Sequence, residues 1–365
     1  MESTDFLKSD FLIRRDAPED WRYDSRGPET AAGGVLLRIN RVGLSSNNIT
    51  YATSGNMLFR HFFPAEEGWT TVPVWGYGEV VASDHPDIAP GRHVFGFFPL
   101  SEYLTVTPGR VSATGFYDEV SHRQKLPGAY NRYQFLPEGG EADPLGDYDI
   151  IMRPLLMTSF VLARFLEEEK FFGARHVLVS SASAKTAFST IWLLRRAGYA
   201  GLKITGLTAA GNREFVRGLD LYTDIVSYGE LPSLSLEEPL LYIDVAGDDE
   251  INATIHRGAA DMRHSCRLGD THGGDRSVTL DDPQPQMFIA PLEIRKLNQL
   301  WGRDVFNQRY RKASDAFLRF CSHAISISRH EGQEAVSAAV LATVRGGGDP
   351  ATAHILTLHG DHIDK

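Results

Sequence analysis

The sequence predicts an α/β protein of two lobes, a β-rich first domain followed by a doubly wound parallel sheet. Three observations carry that expectation. The chain has 365 residues, which at roughly 150 per domain suggests two domains, or one large domain with a discontinuous partner. Its 42% hydrophobic and 23% charged residues allow a sizeable core and exclude a disordered or fibrous chain. The apolar patterning also changes near residue 150, from short strand-like runs to strands alternating with helical periods.

In the first part, residues 35–42, 72–81, 93–98 and 102–106 form short apolar runs separated by Gly, Pro, Asn and Asp. That spacing favours a partly closed barrel. Residues 108–149 read as loop, punctuated by Pro127, Pro137, Gly139, Gly140, Pro144 and Gly146, and are expected to be a linker or a binding excursion. After Pro154 the period becomes helical over residues 155–166, ending in the charged run 167–170. Strands follow at 176–180 (HVLVS), 203–208 (KITGLT), 224–227, 240–245 (LLYIDV) and near 265–269, with helices at 184–196 and 213–219. This alternation implies a parallel sheet covered on both faces.

Composition narrows the function. Two cysteines, Cys266 and Cys321, exclude a multi-disulfide framework and any zinc site built on three or four thiolates. With 37 basic and 47 acidic side chains the net charge is -10, which argues against nucleic acid or an anionic membrane as main partner. The N-terminal stretch MESTDFLKSDFLIRRD does not read as a secretory signal, and no run of apolar residues is long enough to span a bilayer. A cytoplasmic protein acting on a small molecule is expected, with homodimerisation left open.

The most informative segment is residues 177–187, VLVSSASAKTA. It joins a buried strand to a helix, where backbone N–H groups and the helix dipole favour an anion. Dinucleotide folds place glycine there so that a pyrophosphate can approach bare backbone. This loop has none, only serine and alanine at the close-approach positions. Lys185 and Thr186 fall in the first helical turn, where a cation opposes the dipole unless an anion lies close by. A degenerate P-loop lacks both required glycines, and no G-x-S-x-G elbow makes Ser181 or Ser183 a nucleophile.

Here the chain resembles the zinc-free, quinone-oxidoreductase-like branch of the medium-chain dehydrogenase/reductase superfamily. That branch carries a G-A-x-G-x-V-G loop, whose three glycine positions are taken here by Ser181, Ala184 and Ala187. LLRINRVGLSSNNITYA (36–52), PVWGYGEVVAS (73–83), GRHVFGF (91–97), SEYLTV (101–106) and LLYIDVAGD (240–248) are similar to successive segments of the family. The combination of RPLLMTSFVL with SSASAKTA looks like an uncharacterised, domain-of-unknown-function offshoot of it. The resemblance implies a GroES-like domain over 1–150, a Rossmann-type nucleotide domain over 151–285, and a segment 286–365 returning to pack on the first domain, with the active site in a cleft. It also implies NADP(H) as cofactor and no metal. Loss of the loop glycines leaves open weaker affinity, an altered phosphate pose, or a site that no longer holds a nucleotide.

The loop side of the cofactor site is expected to use Ser181, Ser183, Ala184, Lys185 and Thr186. An NAD-specific site puts an acid after the second strand; this chain reads Thr208-Ala209-Ala210-Gly211-Asn212-Arg213 with no acid before Glu214. NADP(H) is therefore favoured, with Thr208, Asn212 and Arg213 as phosphate contacts, although Asn212 could equally cap the next helix. Without a metal, a hydrogen-bond donor must stabilise the developing oxyanion. The resemblance places that role in the loop of Ser45, Ser46, Asn47, Asn48 and Tyr51, with Tyr51 as general acid and Asn48 as amide donor. Both could instead be packing residues. Tyr130, Arg132, Tyr133 and Arg153 could form a lid, or simply pack. The expected activity is zinc-independent hydride transfer from NADPH to an activated enone or carbonyl. The alternatives are a non-redox lyase or isomerase with a degenerate nucleotide site, and a non-catalytic binding protein.

Overall fold

A computed structural model describes residues 8–27, 33–53, 61–199, 201–268, 283–346 and 348–359. The chain divides into two compact units. The first comprises Met1–Ile151, Ser326–Gly348 and Thr352–Lys365, and the second Met152–Ile325 with Asp349–Ala351.

In the first unit a small sheet pairs β1 (Lys8–Arg14) with β2 (Trp21–Arg26) and β4 (Trp69–Thr71). The main sheet runs β17 (Ser326–Glu331), β18 (Thr352–Thr357), β3 (Val35–Leu44), β5 (Pro73–Ser83), β6 (His93–Pro99), β10 (Arg132–Phe135), β9 (Gly115–Asp118), β8 (Pro108–Ser112), with β7 (Tyr103–Val106) also on β3. Val35, Leu37, Ile39, Val74, Val80, Val94 and Phe98 alternate inward into one core. Each contributes roughly 1.5–3 kcal/mol by leaving water.

Three sequence expectations change here. Residues 108–149 are not a linker, because β8, β9 and β10 extend the main sheet within them. Their glycines mark tight turns: Gly115, at φ 138, passes so close to the Tyr133 carbonyl that a Cβ would stand 2.0 Å from it. The long helix α3 (Gly146–Glu168) begins eight residues before Pro154 and keeps that proline inside. Asp147 and Asp149 in its first turn complement the dipole, and buried Ile150, Ile151 and Met152 pin the turn that the proline weakens. Finally, the expected return segment 286–365 is divided. Helices α7 (Ala290–Trp301) and α8 (Arg303–Ala324) belong to the second unit, where Phe306 and Tyr310 pack edge-on against Phe160 of α3. Only β17, α9 (Gly332–Val344) and β18 complete the first.

The second unit is built on six strands, in the order β13 (Asp224–Ser227), β12 (Lys203–Thr208), β11 (His176–Val179), β14 (Leu240–Asp244), β15 (Met262–Arg267) and β16 (Gln286–Met287). Every pairing is parallel. Helices α4 (Lys185–Arg196), α5 (Arg213–Gly218) and α6 (Asp249–Gly258) connect them. Counted from β11, the spatial order is third, second, first, fourth, fifth, sixth. The order reverses between β11 and β14, and in doubly wound sheets a ligand binds over the strand C-termini at that point.

Just before β11, Lys170, Phe171 and Phe172 all take left-handed conformations (φ 49, 52 and 54), at a cost of roughly 1–2 kcal/mol per residue. Phe171 is held by burial and by Tyr199, and Phe172 by a parallel stack on His264 at 3.9 Å. No helix among the described residues is long and apolar enough to cross a membrane.

Candidate functional site

At the switch point of the second unit, β11 runs into the glycine-free loop. Ser181 has φ 50, the left-handed turn that glycine would adopt without strain. The space the loop needs is supplied from the neighbouring strand instead. Ala182 packs over Gly206 of β12, where a Cβ would come within 2.8 Å of the Ala182 methyl and of the Tyr222 ring. The Tyr222 hydroxyl donates to the Ala182 carbonyl at 2.9 Å. The tight turn is therefore retained by a glycine that the loop sequence does not contain.

The helix that follows opens on Ala184, in extended backbone and with no side-chain cap. The first N–H groups of a helix lack intrahelical acceptors, so the N-terminus of α4 presents uncapped donors at the strand ends. Next to it, three residues singled out in the sequence come together. Ser183 Oγ accepts from Asn212 Nδ2 at 3.2 Å and from the Thr208 hydroxyl at 3.4 Å. A hydroxyl has two acceptor positions and one proton; with both positions filled, the Ser183 proton is left to donate to an acceptor beyond these two. Asn212 stands at the N-cap of α5, but its side chain makes no capping bond and turns to Ser183 instead.

The other predicted residues sit differently. Arg213 is bonded to Glu230 through Nη1 (3.1 and 3.0 Å) and to the Ile225 carbonyl through Nη2 (3.1 Å). Bonds from the Ser227 N–H and hydroxyl, with those from the Arg213 guanidinium, hold the Glu230 carboxyl down at about 2. Burial lowers the Lys185 pKa, opposed by Cys321 and Asp349, so its ammonium is desolvated with no ion pair among the described residues. Thr186 contributes its carbonyl, which accepts from Ser159 and Thr190.

Two features of the site are absent from the sequence reading. Tyr228, on a 3-10 turn (Tyr228–Ser233) after β13, accepts the Ser181 N–H at 2.8 Å and lies 3.3 Å from its hydroxyl. Behind the loop, buried Asp244 at the end of β14 accepts through Oδ1 from Ser180 Oγ (3.1 Å) and the Gly247 N–H (2.8 Å), and through Oδ2 from Asn252 Nδ2 (2.9 Å). Ser180 in turn accepts the Val245 and Ala246 N–H groups at 2.8 and 3.0 Å. Asp244 thus ties together the two loops that flank the switch point. No sequence motif announces Tyr228, which lies 47 residues from Ser181; the aspartate closing LLYIDV is the one signal that could have found Asp244.

In the first unit, α1 (Ser46–Thr53) carries both predicted catalytic residues. Asn48 is buried and its amide is engaged: Oδ1 accepts the Ser45 N–H (2.7 Å) and hydroxyl (2.9 Å), while Nδ2 donates to the Pro73 carbonyl (2.8 Å). That geometry anchors α1 to β5. Tyr51 stands in an aromatic cluster, edge-on to Phe62, Phe97 and Tyr130. Tyr130 sits at its centre, 4.9 Å from Phe62 and 5.0 Å from Phe97, and burial, reinforced by the Tyr51 hydroxyl, pushes its phenol pKa up. Its backbone is clamped by Arg123, which donates to the Tyr130 carbonyl and forms a buried ion pair with Asp118 at 3.0 Å. Tyr133 packs in the core and donates to the Phe97 carbonyl.

The sequence matches the DUF2855 family, described as a protein of unknown function, over residues 42–349; no curated protein matches it. Among solved structures it is similar to a putative NADPH:quinone reductase from Mesorhizobium loti, with a TM-score of 0.63 and 13% identity, covering 98% of this chain and 99% of that one. CurA from Vibrio vulnificus, solved with NADPH, gives a TM-score of 0.60 at 11% identity over 96% and 99%. TarJ from S. aureus, also with NADPH, gives 0.58 at 10% over 97% and 100%. The chain belongs to the DUF2855 family, and its GroES-like plus Rossmann-type fold is the one these reductase structures share.

Proposed function

We propose that this protein is a zinc-independent oxidoreductase that transfers hydride from NADPH to an activated enone or carbonyl compound. The observation that carries the reading is the donor set at the switch point: the uncapped N-terminus of α4 beside a Ser183 hydroxyl whose acceptor positions are both filled. Donors without acceptors among the described residues, grouped at a helix N-terminus, suit a phosphate. The NADPH complexes of CurA and TarJ, which share the fold, support the same choice of ligand.

In this reading the Ser183 hydroxyl and the N–H groups of Lys185 and Thr186 hold the pyrophosphate. Thr208 and Asn212 orient Ser183, and Arg213 lies toward the adenosine 2'-phosphate. The nicotinamide supplies the hydride. Tyr51 donates its proton to the substrate oxygen, and the aromatic side chains around it favour a flat, conjugated substrate. Asn48 acts by fixing α1, since its amide is engaged by Ser45 and Pro73. The Ser181 N–H, held by Tyr228, favours the second reading, a non-redox or binding descendant of the fold in which the loop no longer receives a nucleotide.

Fluorescence titration with NADPH and NADH separates the two. NADPH is expected to bind, and Ser183→Ala to weaken it by about ten-fold for loss of one hydrogen bond to a charged group. Absence of binding by either nucleotide defeats the dehydrogenase reading. Tyr51→Phe is expected to leave NADPH affinity unchanged and to lower turnover of quinones and enones by about 100-fold, the scale of one lost general acid. Full activity in that variant removes Tyr51 from the chemistry.

A further inference from the structure

The 3-10 turn after β13 carries an anion, Glu230, beside one of the expected phosphate contacts. Glu230 reaches from that turn to Arg213 at the start of α5, with both carboxylate oxygens within 3.1 Å of Nη1. The carboxylate is not a passing surface charge. Its Oε2 also accepts the Ser227 N–H (2.9 Å) and hydroxyl (2.7 Å), completing a capping box. The box fixes the same turn whose Tyr228 accepts the Ser181 N–H. Glu230 is thus anchored on one side by the backbone and on the other by the arginine.

An arginine fork has a limited number of coplanar donors, and one bidentate acceptor excludes another from the same edge. Arg213 has spent Nη1 on Glu230 and an Nη2 hydrogen on Ile225, while its Nε is buried with no partner. A phosphate arriving at this guanidinium meets an arginine already neutralised, and the like charge of the carboxylate that neutralises it. A ribose 2'-hydroxyl carries no charge and meets no such repulsion.

We propose that Glu230 determines nucleotide preference by competing with the 2'-phosphate for Arg213. It weakens NADP(H) relative to what the arginine alone would supply and leaves NAD(H) unaffected, so the chain discriminates poorly between the two. The proposal rests on the reading that Arg213 faces the adenosine 2'-position.

Glu230→Gln tests it, because glutamine can still accept at the N3 position of a capping box, so the turn and its Tyr228 are kept; an unchanged melting temperature verifies this. Binding of adenosine 2',5'-bisphosphate and of 5'-AMP, measured by calorimetry, reports the adenosine end alone. The bisphosphate is expected to bind about ten-fold more tightly to the variant than to wild type, with 5'-AMP unchanged, and Arg213→Gln is expected to abolish the gain in the double variant. An unchanged ratio, or equal tightening of both ligands, overturns the role of Glu230 and leaves the nucleotide reading standing. If neither ligand binds wild type or variant, and NADPH does not bind either, the nucleotide reading falls and the proposal with it.

Discussion

Asp244→Ala is expected to lower the stability of the second unit by about 3 kcal/mol, measured as a fall in the urea midpoint of its transition at constant slope. Asp244 is 2% exposed and has no ion-pair partner among the described residues; its oxygens accept from Ser180, Gly247 and Asn252. Removing it strands two buried donors, on Ser180 and Asn252, and the half-buried Gly247 N–H, at roughly 1–3 kcal/mol for each buried one. Asp244→Asn is expected to cost less, because one oxygen remains for Ser180 and Gly247 while its new amide faces the Asn252 amide. An alanine variant as stable as wild type would mean that the network is a bystander and that strand packing alone holds the two loops at the switch point.

The second large effect is expected at Ala184, and it has two signs. This residue occupies the N-cap of α4 in extended backbone without a capping bond. Aspartate there would accept the orphan N–H groups and complement the dipole, raising stability by about 1 kcal/mol. The same carboxylate would stand where a phosphate is proposed to bind, so NADPH affinity is expected to fall by about 100-fold or more. Melting temperature and fluorescence titration of Ala184→Asp read both effects in one sample. A stabilised variant that keeps full NADPH affinity would place the nucleotide elsewhere. A variant with no gain in stability would show that the first turn is already satisfied.

Much of the fold was legible in the chain because it is written in local pattern. The buried runs HVLVS, KITGLT and LLYIDV could only be strands of a sheet covered on both faces, and their spacing required helices between them. What misled were the punctuating residues. Pro154 reads as a helix start and is an interior residue, because the apolar turn before it is pinned by burial. The glycines and prolines of 108–149 read as a linker and are turns between short strands, because Phe116 and Tyr133 bury themselves in the first-unit core. At the candidate site, Ser183, Thr208 and Asn212 stand out one by one in the sequence, as small polar residues at strand ends, but their contact with one another does not. Arg213 was identifiable too, but not the acid that holds it.

By itself, the sequence determined the doubly wound second unit, the strand-to-helix loop at its switch point, and the absence of glycine there. Those depend on residues near one another in the chain, where periodicity and turn chemistry act directly. The tertiary structure decided what compensates for that absence, Gly206 on the next strand, and what surrounds the loop: Tyr228 on the Ser181 N–H, Asp244 behind Ser180, and Glu230 across Arg213. Each is a contact between residues 17 to 64 positions apart. Such contacts are set by strand order and register in the parallel sheet, which bring the strand ends together whatever their distance along the chain.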